Sequence, residues 1–427
     1  MPQNKILYLS DRISLTDTSI PSSVIDALHD QGLIAPDMKK VHYCGVISYS
    51  DGLAVFLPRN HLASIKDGGI AGYYLLQALL KYYQDKDSGV YAQENSDEVI
   101  GGRQFSLAIS LLDDYRTNGL YVRRMKENTV NSGKVNWSRT ISRSSSYPAS
   151  SGSVYLELQS SRARYLTYCE TAKIHAEIIK ELLSDYGTLW FGVFSHFDLK
   201  VESLVSSIRS IEAKFAYLER QLQLSYSERD MFLIKALIKY LREKKGNETN
   251  CVLIGVRKFH NLWEAMLDQC LVGKYEVNNR LPVPVYQTEN NSFIPVARKS
   301  QRTDTVLKRG KHSQFAVIDA KYYWAISPNT APGWSDLVKQ FFYQKALCQL
   351  EGRNAKISNH FIFPGQQQHL KAAYVTERDI TMLSPSDALL DYSPIYCHYQ
   401  DPIILLEVYV KGEKLSNLTQ EIFSKIK

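Results

Sequence analysis

An aspartate and a lysine near residue 320 have the types and the spacing of a hydrolytic site. Asp319 and Lys321 follow the apolar run Phe315–Ile318, which predicts a buried strand. Residues two apart on a strand point to the same face, so the carboxylate and the ammonium are predicted to lie side by side. The intervening Ala320 points to the other face and can be buried there.

A second aspartate is predicted to face the first across a β-hairpin. Thr303–Leu307 predicts the partner strand, and a turn centred between Lys311 and His312 sets Asp304 directly opposite Asp319. Directly opposed Cβ atoms lie about 4.5–5.5 Å apart, and two carboxylates at that distance repel each other unless a cation neutralises them. Mg²⁺ prefers oxygen ligands, so this pattern predicts a metal-dependent phosphodiesterase site.

The surrounding charge favours a polyanionic substrate. Six basic residues lie within 14 positions just before and inside the predicted hairpin: Arg298, Lys299, Arg302, Lys308, Arg309 and Lys311.

Predicted helices flank the hairpin on both sides. The upstream helix, FHNLWEAMLDQCL, carries Glu264, which could reach over the strand ends as an outer metal ligand or stay solvated. The downstream helix begins near Ser335 as N-cap and ends at Gly352. Its Gln340 and Tyr343 are three residues apart and share a face. Gln340 could hold a water or contact phosphate, and an exposed polar position is the equally simple alternative.

Other chemistries lack their motifs. The chain has no GxxxxGK[ST] or GxGxxG loop, so nucleotide hydrolysis by this chain itself is not expected. It also has no GxSxG and no HExxH motif. Its six cysteines are scattered without a CxxC pair, which argues against a disulfide framework or a zinc ribbon.

Length and composition predict a globular protein of two or three domains. The chain has 427 residues, 51 basic and 44 acidic side chains, and a net charge of +7, which permits a nucleic-acid partner without requiring one. The start shows no apolar signal-peptide region, and no apolar run is long enough to cross a bilayer. We therefore expect a reducing, cytoplasmic location without membrane contact.

Three segments are predicted, in an α+β fold class. Residues 1–163 read as an amino-terminal α+β domain that binds DNA or a partner, with two strands joined at Asp51-Gly52 and a Ser-rich loop over 142–161. Residues 164–248 read as a helical segment, with one apolar stripe on a long helix from 204 to 222. Residues 249–427 mix strands and helices and form the segment with the hairpin.

The carboxyl-terminal motifs resemble a known family. FHNLWEAML, RTDTVL, VIDAKYYW, GWSDLVKQFFYQKAL and NHFIFPG, in that order, are similar to the LlaJI-type restriction endonucleases, relatives of the McrC nuclease subunit in the PD-(D/E)xK superfamily. The resemblance covers roughly residues 259–365 and extends thinly into the amino-terminal half. Thr303 stands where the family usually has Pro.

The resemblance implies a mixed sheet flanked by helices that cleaves double-stranded DNA with one or two Mg²⁺ ions. By motif position, Asp304, Asp319 and Glu264 would be metal ligands, Lys321 would position the nucleophile, and the helix pair Gln340 and Tyr343 would complete the site. The resemblance also implies an AAA+ GTPase partner of the McrB type, and it allows a homodimer.

Two alternatives stay open at this point. The chain could be a stand-alone, sequence-specific restriction endonuclease that reads DNA with its amino-terminal half. It could also be a non-catalytic DNA-binding or scaffold subunit with a nuclease-like fold.

Overall fold

The computed structural model describes most of the chain in two compact units. The described residues are 5–17, 19–30, 32–34, 39–49, 51–59, 68–87, 100–150, 152–191, 199–246, 253–297, 300–310, 313–352, 354–379 and 381–426. Residues 1–102 and 251–427 form one unit, and residues 103–250 form the other. The second unit is thus an insertion in the first, and the mixture of helices and sheets confirms the predicted α+β class.

The larger unit begins with a four-stranded sheet in the order β1-β3-β2-β9. β1 runs parallel to β3, and the predicted hairpin at Asp51-Gly52 joins β2 to β3, with Tyr49 opposite Gly52. β9 enters the sheet antiparallel to β2 after the insertion. The elements are β1 (Lys5–Ser10), α1 (Ser22–Asp30), β2 (Cys44–Tyr49), β3 (Gly52–Leu57), α2 (Gly68–Asp87) and β9 (Leu253–Val256).

Two glycines let β2 and β9 approach each other. Gly45 pairs with Gly255, and a Cβ on Gly45 would lie 2.1 Å from the carbonyl oxygen of Ile254. The Tyr43 hydroxyl fills the space beside them and donates to that same carbonyl at 2.7 Å. Any side chain at either glycine would therefore push the returning strand out of the sheet.

The carboxyl-terminal part of this unit contains a five-stranded mixed sheet in the order β12-β13-β14-β16-β15. The β13-β14 and β14-β16 pairs are parallel, and both outer pairs are antiparallel. The elements are α10 (Phe259–Cys270), β10 (Val285–Gln287), β11 (Phe293–Pro295), β12 (Thr305–Lys308), β13 (Gln314–Ala320), α11 (Trp334–Glu351), β14 (Lys356–Pro364), β15 (Ala372–Ala373), β16 (Ile395–Gln400), α12 (Pro402–Lys411) and α13 (Ser416–Ser424).

Helix α11 connects the parallel strands β13 and β14 and covers one face of the sheet. Ala346 and Leu347 of the helix pack with Phe315 and Val317 of β13 in one buried cluster. The helix ends at Gly352 as predicted, where φ is 92°. Its predicted start was wrong by two positions: Gly333 is the N-cap, and Ser335 lies in the first turn.

A buried polar chain occupies the opposite face of the same sheet. The Ser358 hydroxyl lies 2.7 Å from His360 Nε2, His360 Nδ1 lies 3.0 Å from His398 Nε2, and His398 Nδ1 lies 2.9 Å from Glu421. Burial lowers the pKa of both imidazoles. Both histidines are buried and have hydrogen-bond partners on each ring nitrogen, which is typical of core residues.

The inserted unit combines helices with a small, solvent-exposed β module. β4 and β8 pair antiparallel, β5 lies on the other side of β8, and β6 and β7 form a separate hairpin. The elements are α3 (Gly102–Asn118), β4 (Arg123–Val130), β5 (Lys134–Val135), α4 (Trp137–Arg143), β6 (Ser146–Ala149), β7 (Gly152–Tyr155), β8 (Gln159–Leu166), α5 (Glu170–Leu182), α6 (Thr188–Phe191), α7 (Leu199–Ser203), α8 (Ile211–Gln223) and α9 (Glu228–Gly246).

Two local predictions were wrong in this unit. The Ser-rich stretch 142–161 is not a loop, because it supplies the β6-β7 hairpin and the start of β8. The helix expected to run from 204 to 222 begins only at Ile211, where Ser210 caps it. The boundaries of the two compact units differ from those of the three predicted segments. Residue 163, where the first predicted segment ends, lies inside β8 of the inserted unit. The roles given to those segments stay predictions.

Among the described residues, no helix is both long enough and apolar enough to span a membrane.

Candidate active site

The β12-β13 hairpin has the register that the sequence predicts. Thr305 pairs with Ile318, and the next three pairs continue without a bulge, so Asp304, one residue before β12, lies across from Asp319. The centre of the predicted turn, residues 311 and 312, lies outside the described residues. Four consecutive pairs therefore fix the alignment of the two aspartates independently of the turn.

Asp304 lies among other acids at the end of the hairpin. It is accessible to solvent, although protein crowds around it, and its Oδ2 accepts a hydrogen bond from the backbone N–H of Ala320 at 3.2 Å. This crowding raises the pKa of Asp304 well above its usual range, with further contributions from the charges of Asp319 and Glu264 and from a hydrogen bond to Asp319. The two carboxyl groups are therefore close enough to share a proton or a cation.

Glu264, on α10, interacts electrostatically with the same acids. Burial raises its pKa to about 7, and the charge of Asp319 adds to that rise while Lys321 opposes it. The raised pKa values of Asp304 and Glu264 mean that both carboxyl groups hold protons more strongly than free acids do when no cation is bound.

Lys321 lies between two carboxylates. Its Nζ is 3.0 Å from Asp319 Oδ2 and 3.0 Å from Asp336 Oδ1. Burial by itself would lower the pKa of Lys321, but the charges of these two partners outweigh it and raise the pKa. Its ammonium is thus charged at neutral pH and held in one position.

Asp336 is the site residue that sequence reasoning missed. It lies in the first turn of α11, is 8% exposed, binds Lys321 and lies 3.5 Å from the Tyr323 hydroxyl. Its positions relative to Gln340 and Tyr343, at i, i+4 and i+7, were a signal that could have revealed it.

The face of α11 that carries Asp336 also presents Gln340 and Tyr343 to the acids. Gln340 is fully buried, and neither of its side-chain polar atoms has a hydrogen-bond partner within the described part of the chain. The pKa of Tyr343 is raised by burial and then by the charges of Asp304 and Asp319, so its phenol lies near both. Gln340 lies one turn from each neighbour and offers a free amide to a ligand at this site.

These donors fit a hard divalent cation. Asp304, Asp319 and Glu264 supply only carboxylate oxygens, and Mg²⁺ is commonly held by one or two carboxylates together with water and substrate phosphate. Among the residues that the structure describes, no group of three or more Asp, Glu, His or Cys side chains is arranged so that it could hold a metal ion. The metal assignment therefore stays a prediction, supported by the donor type and by the mutual repulsion of the acids.

Tyr322, next to Lys321, fixes the end of β13 to the amino-terminal sheet. Its hydroxyl accepts a hydrogen bond from the backbone N–H of Arg59 at 2.8 Å, and the Arg59 guanidinium lies 4.5 Å from its ring centre. Asp11, after β1, also hydrogen-bonds to Tyr322, and burial raises the pKa of Asp11 to about 6. Sequence reasoning did not predict this contact, because the three residues are far apart in the chain.

The basic residues predicted near the hairpin are only partly described. Arg298, Lys299 and Lys311 lie outside the described residues. The ammonium of Lys308 packs 4.8 Å from the ring centre of Tyr275, so its contact in this structure is aromatic.

Comparisons with known proteins give one matching family and two solved structures of low similarity. The model of the LlaJI restriction endonuclease family matches residues 43–382. A refined half-complex of the tetradecameric assembly of Thermococcus gammatolerans McrB AAA+ hexamers with bound McrC is 13% identical, with 97% of this chain and 100% of that chain covered and a TM-score of 0.39. The cryo-EM structure of the Thermococcus gammatolerans McrBC complex is 12% identical, with 56% and 80% covered and a TM-score of 0.25. No curated protein sequence matches the chain.

Proposed function

We propose, from the premise that this chain belongs to the LlaJI restriction endonuclease family, that it cleaves double-stranded DNA with Mg²⁺ at the Asp304–Asp319 hairpin. The family match spans most of the chain and implies a nuclease of a restriction system. The metal, the residues and the PD-(D/E)xK assignment belong to our proposal. The observation that supports it best is the contact of Lys321 with Asp319, beside an aspartate in the opposing register position.

The chain's own residues divide the work of phosphodiester hydrolysis. Asp304 and Asp319 would hold one or two Mg²⁺ ions, and Glu264 would assist from α10. When bound, the metal supplies Lewis-acid chemistry and offsets negative charge on the phosphate. Lys321, fixed by Asp319 and Asp336, keeps a positive charge beside the scissile phosphate or the attacking water.

Helix α11 supplies the groups that orient the reactants. The amide of Gln340, which has no hydrogen-bond partner among the described residues, can donate to a phosphate oxygen and accept from a water at the same time. Tyr343 lies near both aspartates and closes the site on the helix side. The resulting product would carry a 5′-phosphate, as the resemblance to the superfamily implies.

We further propose that the chain works as the nuclease subunit of a complex with an AAA+ GTPase. The chain has no P-loop of its own, which leaves nucleotide hydrolysis to another subunit. A second copy of the nuclease would provide the two active centres that a double-strand break requires.

Plasmid digestion tests the catalytic proposal directly. With an AAA+ GTPase partner and GTP present, the purified chain should cut DNA with Mg²⁺ and not with EDTA. Asp319→Ala should abolish this cutting while its circular dichroism spectrum stays that of the wild type. Glu276→Gln, an exposed acid outside the site, is the matched control and should cut normally. Cutting by a pure Asp319→Ala preparation would reject this active site.

The same digest separates the partner requirement from the chemistry. We expect cutting to need an added AAA+ GTPase and GTP. Discrete fragments without any nucleotide-hydrolysing partner would instead identify a stand-alone enzyme.

A further inference from the structure

The β module of the inserted unit holds most of the excess positive charge of the protein. Residues 123–166 contain eight basic and two acidic side chains, a net charge of +6, whereas the whole chain has a net charge of +7. Such concentration on a small, exposed element is the electrostatic pattern of a surface that binds a polyanion.

Strand register sorts these charges onto two faces of the β4-β8-β5 sheet. Arg124 pairs with Tyr165, Lys126 with Ala163, and Lys134 with Ser161, so the side chains of Arg124, Lys126, Lys134 and Tyr165 share one face. We call this the basic sheet face. All four side chains are exposed, with Tyr165 62% exposed.

The opposite face has an acid that pairs with two of its three arginines. Glu127 lies there and pairs with Arg162 at 3.0 Å and with Arg164 at 3.8 Å. The strand residues on the basic sheet face include no acid, and within the described part of the chain its three cations form no ion pair. The basic sheet face is therefore the one whose cations have no competing carboxylate beside them.

We infer that the basic sheet face binds the sugar-phosphate backbone of duplex DNA, as a surface separate from the residues of the candidate active site. This inference rests on the proposed function for the choice of DNA as the polyanion. Arg124 and Lys126 are two residues apart on β4 and so present their charges about 6.8 Å apart along the strand. Tyr165 lies directly across from Arg124 and offers a ring and a hydroxyl to sugar and phosphate.

The composition of the face favours DNA over a protein partner. Protein–protein interfaces are depleted in lysine and buried around apolar anchors, whereas this face carries two lysines and an arginine around one tyrosine. Backbone contacts of this kind fix position and strengthen binding without reading sequence.

The test measures affinity for a fluorescein-labelled 30-base-pair duplex in EDTA, by anisotropy, with the full chain. The test variant is the triple change Arg124→Gln, Lys126→Gln and Lys134→Gln. Its matched control is Arg123→Gln, Arg162→Gln and Arg164→Gln, which removes the same charge from the other face of the same sheet. Thermal unfolding of both variants verifies that they are folded.

We expect the test variant to lose at least tenfold in affinity at 150 mM salt. The slope of log affinity against log salt should fall by about 2 to 3, since each phosphate contact contributes about 0.9. The control should keep most of the affinity and slope. Equal losses in both variants would overturn the inference, because they would reflect net charge alone.

Two further outcomes distinguish this inference from the proposed function. A wild-type protein that binds duplex through this face but never cuts it, even with Mg²⁺, an AAA+ GTPase partner and GTP, would refute the catalytic proposal alone. A test variant that binds duplex normally but no longer associates with an AAA+ GTPase partner would make the face a protein-docking surface and reject DNA binding.

Discussion

At the scale of single residues, the site combines acids that repel each other with a lysine, Lys321, that forms ion pairs with two aspartates. Asp319 and Asp336 each lie 3.0 Å from the Lys321 ammonium, so removing one partner leaves the other in place. The lysine charge is therefore more important to the site than either contact alone. This unequal dependence can be measured.

Changing Lys321 and Asp336 separately should give different losses. Lys321→Met should lower the cleavage rate by about 10²–10³-fold, because a preorganised charge at the phosphate is removed. Asp336→Asn should cost only about tenfold, since Asp319 still positions the ammonium. Single-turnover cleavage at saturating enzyme measures both, and Gln349→Ala, on the exposed side of α11, is the control. Equal losses for the two variants would contradict the assigned roles.

Gln340 should show opposite effects on stability and activity. Gln340→Leu removes two buried polar atoms that have no partner in the described structure, so the free energy of unfolding should stay unchanged or rise by about 1 kcal/mol. Cleavage should fall at least tenfold, because the amide no longer contacts substrate or water. Urea unfolding and cleavage assays on the same preparation test this. A destabilised but fully active variant would show that Gln340 has only a structural role.

At the scale of elements, strand β13 is held by its two neighbouring strands and by a contact just beyond its carboxyl end. Its pairing with β12 and β14 sets the height of Asp319, and Tyr322 just beyond it contacts Asp11 and Arg59 of the amino-terminal sheet. The amino-terminal sheet thus contributes to the position of Lys321. This contact gives residues near the start of the chain a measurable effect on the site.

Tyr322→Phe should weaken this contact without leaving a cavity in the core. We expect a loss of about 1–2 kcal/mol in unfolding free energy, because the buried Asp11 carboxyl and the Arg59 N–H lose a partner. A double-mutant cycle with Asp11→Asn should give a coupling energy of about 0.5–3 kcal/mol. Additive effects would mean that the hydroxyl and the carboxyl do not interact in solution.

At the scale of the whole molecule, pH and Mg²⁺ should act on stability together. The folded pKa of Glu264, about 7, lies above its ordinary value of 4.5. Its contribution to stability is therefore fully present below about pH 4.5 and is lost as pH rises through 7. Mg²⁺ binds the ionised carboxylates and offsets that loss.

The thermal shift caused by Mg²⁺ should accordingly be larger at pH 8 than at pH 6. Differential scanning fluorimetry measures the shift for the wild type and for Asp319→Ala. Each protein is compared in about 5–10 mM MgCl₂ and in EDTA. The variant should show little shift at either pH. A wild-type shift that is the same at both pH values would show that Mg²⁺ binds away from these acids.

Local spacing in the sequence determined the centre of the candidate site. The alternation of β13 puts Asp319 and Lys321 on one face, and the matched apolar runs of the hairpin fix a register that brings Asp304 opposite Asp319. These features depend on the periods of strands and helices, which any short window of sequence contains. The helix positions of Glu264, Gln340 and Tyr343 followed from the same reasoning and from the resemblance.

Only the tertiary structure decided which distant residues join them. Asp336 binds Lys321 because α11 crosses over β13, and Tyr322 meets Asp11 and Arg59 because the amino-terminal sheet folds with the carboxyl-terminal half. The Ser-rich stretch forms strands because pairing of the backbone satisfies its hydrogen bonds despite weak side-chain preferences. Such contacts depend on chain closure over long separations and on shared burial, which no local pattern of residues records.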